Sequence, residues 1–234
     1  MSLPVAILAG GLAARLRPLT DQIPKALVEV AGTPFVHHQL RLLAGQGVRK
    51  VVFCIGYRGE QIVEAVGDGA QFGIKVDYIF DGPTLLGTGG ALMNALPLLG
   101  EAFFVLYGDS YLVCDYQAVE EAFRGSGCVA LMTVFRNDRQ WDTSNVEFDG
   151  TKIVKYSKTD RNERMRHIDY GLGILSRGAL AGRTPGVAFD LAELYGDLAT
   201  RGQLAAFETH SRFYEVGSFA GITDLEEHLQ RGAG

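Results

Sequence analysis

Short apolar runs alternate with helical patterns through the first half of the chain, and this alternation limits the fold more than any other feature. The predicted strands cover residues 4–9, 50–55, 75–80 and 102–107. The predicted helices cover about residues 34–46 and 58–66, with another beginning near Gly89. Strands that alternate with helices form a mostly parallel sheet with helices on both faces. Ligands of such sheets bind beyond the carboxyl ends of the strands, so residues just after each strand are the first candidates for a site.

The second half of the chain has a different pattern. Residues 128–135, 145–148, 152–158 and 168–175 are predicted strands that polar turns connect, and helices are expected to close the chain. Asp149-Gly150 is a typical hairpin signal. We therefore predict an α/β fold for residues 1–234, with a single Rossmann-like three-layer domain. It combines a mostly parallel central sheet with a smaller antiparallel part.

The overall charge narrows the classes of ligand. The formal net charge is −5 and 21% of the residues are charged, so no general basic field is present to hold nucleic acid. A polyanionic small molecule would have to be held locally, by a few placed cations or by a metal. The chain is therefore expected to bind no nucleic acid.

The cysteines and the N-terminal residues indicate the compartment. Cys54, Cys114 and Cys128 are widely spaced, which supports neither a disulfide framework nor a zinc site. Arg15 and Arg17 follow the first apolar run, whereas a secretion signal has its positive residues before that run. No uninterrupted apolar stretch is long enough to span a bilayer. We expect a cytoplasmic protein that binds no membrane.

The segment after the first strand carries the clearest chemical signal. Gly10-Gly11 lets backbone N–H groups approach phosphate oxygens closely. Arg15 can offer two parallel hydrogen bonds to a phosphate, and Lys25 adds a mobile positive charge. Neither the G-x-x-x-x-G-K-[ST] loop nor the G-x-G-x-x-G loop is present here.

This segment resembles the signature of the sugar-1-phosphate nucleotidyltransferases, also called nucleoside-diphosphate-sugar pyrophosphorylases. Their signature reads L-x-G-G-x-G-[ST]-R-L-x-P-L-T followed by P-K, and the resemblance extends from residue 5 to about residue 229. Ala13-Ala14 departs from the usual Gly-Thr and removes a hydroxyl from the phosphate cradle. The resemblance implies that Arg15 and Lys25 are catalytic. It also implies that the nucleotide is bound by Leu8, Ala9, Gly10 and Gly11.

The resemblance also implies a magnesium site. Asp109 follows the strand 102–107, and the family uses this aspartate as a metal ligand. Mg²⁺ prefers oxygen ligands and is commonly held by one or two carboxylates together with substrate phosphates. Glu215 stands where the family has the aspartate of [WF]-x-D-x-G-[ST], so Asp109 and Glu215 are the expected ligands of Mg²⁺.

Two further segments indicate the base and nucleoside pocket. Residues 86–91 read L-G-T-G-G-A, as in the family, which implies nucleotide binding by Gly87, Thr88 and Gly89. Asp81 follows the strand 75–80 and could accept hydrogen bonds from a base. Because guanine presents two adjacent N–H donors, we predict that GTP is weakly favoured over UTP or CTP.

The acceptor pocket is predicted from the second half of the chain. Relatives carry Glu-Lys at 157–158, and the resemblance implies that Lys158 binds the phosphate of the sugar phosphate. Ser144, Asp169 and Gly171 are predicted to line the same pocket. Ser144, Ser157 and Asp169 depart from the usual family residues, so the identity of the acceptor stays open.

The implied reaction joins a nucleoside triphosphate to a sugar 1-phosphate and releases pyrophosphate. Residues 1–127 would form the nucleotide-binding half of the domain and residues 128–234 the acceptor-binding half. One alternative is a cytidylyltransferase acting on an alcohol phosphate such as phosphocholine, because residues 24–27 and 213–215 are similar to those enzymes. A glycosyltransferase and a non-catalytic nucleotide-sugar sensor are the others. The first lacks its usual Asp-x-Asp motif here, and the second should have lost the charged residues. The sequence leaves open whether the chain forms a homo-oligomer.

Overall fold

The apolar runs of the first half of the chain form strands of the central sheet. The computed structural model describes residues 2–11, 16–82 and 84–232, so Arg15 and the Ala13-Ala14 departure lie outside the described residues. The strands in chain order are β1 (Val5–Ala9), β2 (Glu29–Val30), β3 (Thr33–Pro34), β4 (Lys50–Ile55), β5 (Lys75–Phe80), β6 (Ala102–Tyr107), β7 (Ser110–Leu112), β8 (Ala130–Arg136), β9 (Val146–Phe148), β10 (Ile153–Tyr156), β11 (His167–Ser176), β12 (Leu204–Thr209) and β13 (Phe213–Glu215). The helices are α1 (Phe35–Gly45), α2 (Gly59–Val66), α3 (Gly87–Leu99), α4 (Tyr116–Ser126), α5 (Leu191–Thr200) and α6 (Phe219–Gly232).

The large sheet has a parallel part and a branched antiparallel part. Strands β6, β1, β4 and β5 are adjacent in that order and parallel. Strand β11 lies antiparallel to β6, and it pairs in turn with β8 and β9. Strand β12 runs parallel to β8, and β10 runs antiparallel to β9. Among the described strands of this sheet only β10 and β11 therefore oppose the common direction, which confirms the predicted mostly parallel sheet.

Helices cover both faces of the sheet because side chains alternate along each strand. Val5 and Ile7 of β1 pack in one cluster with apolar residues of α1, α2 and α4. Ala6, between them, packs in a second cluster with residues of α3 and α5. The chain therefore forms three layers, and the carboxyl ends of the parallel strands open at one edge.

A small third cluster fixes the C-terminal segment near that edge. Val30 and Phe35 pack with Val216 and Leu225, so α6 is attached to the start of α1. Strand β13 pairs with β7, which directly follows the β6 turn. The end of the chain is thereby brought back to the carboxyl end of β6.

The strand predictions of the first half agree with the structure to within one residue. In the second half, the predicted strands at 128–135 and 168–175 form β8 and β11, which are part of the main sheet. Helix α4 and strand β12 were not predicted. The alanine-rich sequence of β12 has little strand character of its own, and its parallel pairing with the distant β8 decides its conformation. In the described part of the chain, no helix is both long and apolar enough to cross a membrane.

Candidate active site

A cavity of about 290 Å³ opens at the carboxyl ends of β1, β4, β5 and β6. After β1, its wall includes Leu8, Ala9, Gly10 and Gly11. Later segments contribute Lys25, Asp81, Gly87, Thr88 and Asp109 to the same wall. The structure therefore brings most of the predicted nucleotide and metal residues into one cavity.

Close contacts between backbone segments explain the glycines at this edge. A Cβ atom at Gly10 would lie 3.3 Å from Asp81 Oδ2 and 3.4 Å from the nitrogen of Gly56. A Cβ atom at Gly108 would lie 2.9 Å from the Leu8 oxygen, to which the Gly108 N–H donates a 2.9 Å hydrogen bond. The loops after β1, β4 and β6 can approach each other only because these positions carry no side chain.

Asp81 presents an unsatisfied acceptor to the cavity. Its N–H continues the β5 pairing by donating to Ile55 O at 3.0 Å, which fixes the backbone. Its Oδ1 is buried and accepts no hydrogen bond from the residues that the structure describes. Burial raises the pKa of this carboxyl group, and the N–H of Leu86 acts in the opposite direction. Unpaired buried acceptors are rare, so Asp81 is suited to accept hydrogen bonds from a ligand.

Lys25 and Asp109 form an ion pair in the cavity wall. The Lys25 Nζ atom lies 2.5 Å from Asp109 Oδ2, although the two residues are 84 positions apart. Their side chains are only 17% and 27% exposed. Lys25 begins a short 3₁₀ turn after Pro24, and Asp109 occupies the turn between β6 and β7. A cation and a carboxylate are therefore held together in the wall of the cavity that Gly10 and Gly11 also line.

Strand pairing brings the backbone of Glu215 next to that of Asp109. It is opposite Ser110 in the β7–β13 ladder, and the N–H of Val216 donates a 2.9 Å hydrogen bond to the backbone oxygen of Asp109. No cluster of three or more His, Cys, Asp or Glu side chains suited to a metal occurs within residues 2–11, 16–82 and 84–232. Two carboxylates that leave positions for substrate oxygens fit the way in which Mg²⁺ is bound with phosphates.

Gln39 supports the turn that carries Asp109, a role not foreseen from the sequence. It lies on α1 and is 1% exposed. Its Nε2 donates hydrogen bonds to Tyr107 O at 3.1 Å and to Ser110 O at 2.8 Å, one on each side of Asp109. The only sequence signal is a polar residue within the apolar stripe of a helix.

Gln39→Leu is expected to lower the free energy of unfolding by about 1–3 kcal/mol, because two carbonyl groups lose a buried donor. For a chain of this length, each kcal/mol corresponds to a fall in Tm of about 2–4 °C. Thermal unfolding monitored by circular dichroism measures the change. Gln230→Leu, at an exposed position of α6, is the matched control. Equal Tm values for the two variants would contradict the role of Gln39.

The glycine-rich start of α3 packs against residues 187–189. The Gly89 N–H donates to Phe189 O at 3.0 Å, and a Cβ atom at Gly89 would overlap the Phe189 ring. A Cβ atom at Gly87 would lie 2.7 Å from Phe189 O. Gly87 lines the cavity, whereas Gly89 is buried and is not part of its wall. The predicted contact of Gly89 with a nucleotide therefore has no support in its position.

Asp190 connects the start of α3 with Lys158. Its Oδ1 accepts hydrogen bonds from Thr88 Oγ1 at 3.1 Å and from the Ala192 N–H at 2.8 Å. Lys158 Nζ lies 3.2 Å from the same oxygen. Burial opposes the ionised form of Asp190, but the N–H of Ala192 and the charge of Lys158 outweigh it and lower the pKa. An aspartate just before an apolar helix is a typical N-cap, which is the one sequence signal that could have identified it.

Asp169 and Gly171 lie near Tyr107, a residue of the cavity wall. Asp169 Oδ1 accepts a 3.0 Å hydrogen bond from the Gly171 N–H, and burial raises the pKa of the carboxyl group while that N–H and Lys158 lower it. A Cβ atom at Gly171 would lie 3.5 Å from Tyr107 Cδ2. Tyr107 lines the cavity, and its hydroxyl is buried with no hydrogen-bond partner among the described residues. The predicted acceptor residues thus adjoin the cavity without lining it.

Ser144 is not brought to the cavity. It is 3% exposed, and its hydroxyl accepts from Arg139 N at 3.3 Å and from Asn137 Nδ2 at 3.4 Å, inside its own loop. Its neighbour Asn145 contacts the segment of Asp169, because Asn145 Oδ1 accepts a 2.9 Å hydrogen bond from the Asp169 N–H. The predicted acceptor contact of Ser144 therefore has no support in its position.

Proteins with named activities match about half of this sequence. N-acetylmuramate alpha-1-phosphate uridylyltransferase of Neisseria meningitidis serogroup B is 40% identical over 113 residues, which cover 48% of this chain and 49% of that protein. Glucose-1-phosphate thymidylyltransferase of Streptomyces griseus is 39% identical over 121 residues, covering 51% of this chain and 34% of that protein. The matches thus span half or less of the length of these relatives.

Solved structures and a family match extend the comparison. The crystal structure of HddC from Yersinia pseudotuberculosis, complexed with GMP-PN, has a TM-score of 0.80 and 25% identity, covering 97% of this chain and 99% of that chain. Residues 5–155 match the family described as nucleotidyl transferase, which includes the cavity loops, the Lys25–Asp109 pair and the start of α3. The chain therefore belongs to the nucleotidyl transferase family of enzymes.

Proposed function

We propose that the protein joins a nucleoside triphosphate to a phosphorylated small molecule, a sugar 1-phosphate, to give a nucleoside diphosphate sugar and pyrophosphate. The observation that carries the proposal is the Lys25–Asp109 pair beside Glu215, next to a glycine loop in the cavity wall. Family membership supports the transfer of a nucleotidyl group. The activities for which the relatives are named support a sugar 1-phosphate as the acceptor.

The chemistry requires placement of charge more than proton transfer. An oxygen of the acceptor phosphate attacks the α-phosphorus, and the bond from that phosphorus to the leaving pyrophosphate breaks. The attacking oxygen is already ionised at neutral pH, so no general base is needed. Catalysis then depends on holding the reactants in line and neutralising their negative charge.

The residues of the cavity wall suit these two tasks. The N–H groups of Gly10-Gly11 would bind the phosphates that leave, and the ammonium group of Lys25 would stabilise charge on the reacting phosphates. Asp109, paired with Lys25, fixes where that ammonium group lies. Arg15 stays a predicted ligand of the pyrophosphate, outside the described residues.

Asp109 and Glu215 would hold a divalent cation, which we propose to be Mg²⁺. Their oxygen donors fit this ion, and the β7–β13 pairing holds the backbone of Glu215 next to that of Asp109. When bound, Mg²⁺ supplies positive charge to the phosphates. Asp109 therefore has two roles, since it also positions Lys25.

The acceptor is proposed to bind beside Tyr107. Lys158 would contact its phosphate, and Asp169 and Gly171 would contact the rest of the molecule. Residues 1–127 would then serve mainly the nucleotide and residues 128–234 mainly the acceptor. A cytoplasmic location and the lack of nucleic-acid and membrane partners stay predictions from the sequence.

The base is proposed to be read by Asp81, with GTP weakly favoured over UTP or CTP. The carboxylate of Asp81, whose Oδ1 has no partner among the described residues, could accept the two adjacent N–H groups of guanine, while uracil offers only one such group. The relatives are named for uridylyl and thymidylyl transfer, and the HddC structure contains GMP-PN. The base therefore varies among similar proteins, and Asp81 is the local feature that we propose to select it here.

Asp81→Asn is expected to lower kcat/KM for GTP by roughly ten- to a hundredfold and so to remove the weak preference for GTP, because an amide presents an N–H where guanine needs an acceptor. The measurement is kcat/KM for all four triphosphates. Asp77→Asn is the matched control, since Asp77 lies on the same strand but pairs with Lys50 and Lys75 away from the cavity wall. A native preference for a pyrimidine triphosphate, or an unchanged ranking in Asp81→Asn, would show that Asp81 does not read guanine.

Pyrophosphate release tests the proposed reaction class. The four triphosphates are combined with a panel of sugar 1-phosphates, with phosphocholine included as an alcohol phosphate. We expect release only when a triphosphate and a sugar 1-phosphate are both present. Release with phosphocholine and CTP alone would support the cytidylyltransferase instead. No release with any pair would contradict the proposal.

A further inference from the structure

Asp190 is a carboxylate that three donors hold in place. The N–H of Ala192 reaches its Oδ1 at 2.8 Å as the N-cap of α5. The hydroxyl of Thr88 donates to the same oxygen at 3.1 Å and itself accepts a 2.8 Å hydrogen bond from the N–H of Leu191. The third donor is the ammonium group of Lys158, 3.2 Å from Oδ1 and 3.3 Å from Oδ2.

The two partners of this ion pair differ in rigidity. Asp190 has a short side chain that a backbone N–H and a fixed hydroxyl group hold. Lys158 has a flexible four-carbon stem that can place its ammonium group at many positions. The position of the carboxylate therefore determines where the ammonium group lies.

Lys158 keeps binding capacity in this arrangement. An ammonium group has three N–H donors, and the two oxygens of Asp190 can engage at most two of them. The side chain of Lys158 is 42% exposed, so a further ligand can reach it. The charges of Lys158 and Asp190 both act on the pKa of Asp169, a predicted acceptor residue.

Thr88 extends the connection to the nucleotide side. It lines the cavity at the start of α3, yet its hydroxyl is engaged by Asp190 and Leu191. The hydroxyl group therefore joins the cavity wall to α5 and has its only proton directed at Asp190. Thr88, Asp190 and Lys158 form one continuous chain of hydrogen bonds between the nucleotide and acceptor sides.

We propose that Asp190 is a positioning residue that holds Lys158 in place for the acceptor phosphate, anchored through Thr88 to the wall of the nucleotide cavity. The inference rests on the proposed function, because it takes Lys158 as the ligand of that phosphate. A competing role predicts the opposite effect. If Asp190 competed with the acceptor phosphate for Lys158, removing the charge of Asp190 would tighten acceptor binding.

Asp190→Asn isolates the charge of the carboxylate. Asparagine is as good an N-cap as aspartate, so α5 keeps its cap while the ion pair with Lys158 is lost. Because exposed ion pairs contribute little, we expect the KM for the acceptor to rise only about two- to fivefold. The kcat and the KM for the triphosphate should stay within error. Asp190→Ser, which also keeps a cap, should give the same result.

The test is a double-mutant cycle with Lys158→Ala. If Asp190 acts through Lys158, Asp190→Asn raises the acceptor KM in the native background and leaves it unchanged in Lys158→Ala. Thr88→Val removes the hydroxyl that donates to Asp190 and should also raise the acceptor KM. A purely structural role would change the two backgrounds equally.

The outcomes separate the inference from the proposed function. An unchanged or lower acceptor KM in Asp190→Asn, with normal turnover of the native enzyme, would overturn the role of Asp190 alone. An equal rise in both backgrounds would do the same. Absence of turnover by the native enzyme with every substrate pair would overturn the proposed function, and the role of Asp190 with it.

Discussion

Asp109→Asn is expected to lower kcat by at least about 100-fold at saturating Mg²⁺, the usual cost of a lost charge-stabilising contact. Asparagine keeps the shape of the side chain but removes the charge that pairs with Lys25 at 2.5 Å and that would bind the metal. Chelation of divalent metal should abolish turnover of the native enzyme. Steady-state kinetics across a range of Mg²⁺ concentrations measures both effects.

Asp115→Asn is the control for this variant. Asp115 is exposed, lies six positions later and caps α4 by accepting from the Ala118 N–H at 3.0 Å, a role that asparagine also fulfils. It should leave kcat unchanged. Near-normal activity of Asp109→Asn at saturating Mg²⁺ would remove Asp109 from the metal site.

Lys25→Ala is expected to lower kcat by about 100-fold and to change the KM for the triphosphate much less, because charge on the reacting phosphates grows in the transition state. The change also leaves the carboxylate of Asp109, whose side chain is only 27% exposed, without its cationic partner. Lys50→Ala serves as the control. Lys50 begins β4, at the end of the strand that lies away from the cavity, and its ammonium group donates to Leu98 O. A raised KM with an unchanged kcat would show that Lys25 binds the ground state and the transition state equally.

The parallel part of the sheet could be predicted because its signals are local. Buried apolar runs such as 50–55 and 102–107 are followed by glycine or by a turn residue, so the pattern alone marks where each strand ends. The carboxyl ends of parallel strands then meet at one edge, which brings Gly10, Asp81 and Asp109 together. The location of these three residues at the edge follows from where their strands end.

The supporting residues could not be predicted because their roles depend on distant partners. Gln39 is a glutamine in a helical pattern until the β6–β7 turn packs over it. Asp190 could be recognised as a helix cap, but its bonds to Thr88 and Lys158 join segments about 100 and 30 positions away. Gly89 is similar, since only the position of Phe189 explains why a side chain is excluded there.

The most direct test of nucleotidyl transfer is the stoichiometry of the products. Phosphorus NMR of a reaction with GTP and a sugar 1-phosphate should show one pyrophosphate for each nucleoside diphosphate sugar formed. Labelled pyrophosphate should exchange into the triphosphate only when that product or the acceptor is present, because the displacement is direct. Release of orthophosphate, or transfer of a sugar from a nucleotide sugar with release of a nucleoside diphosphate, would contradict the account.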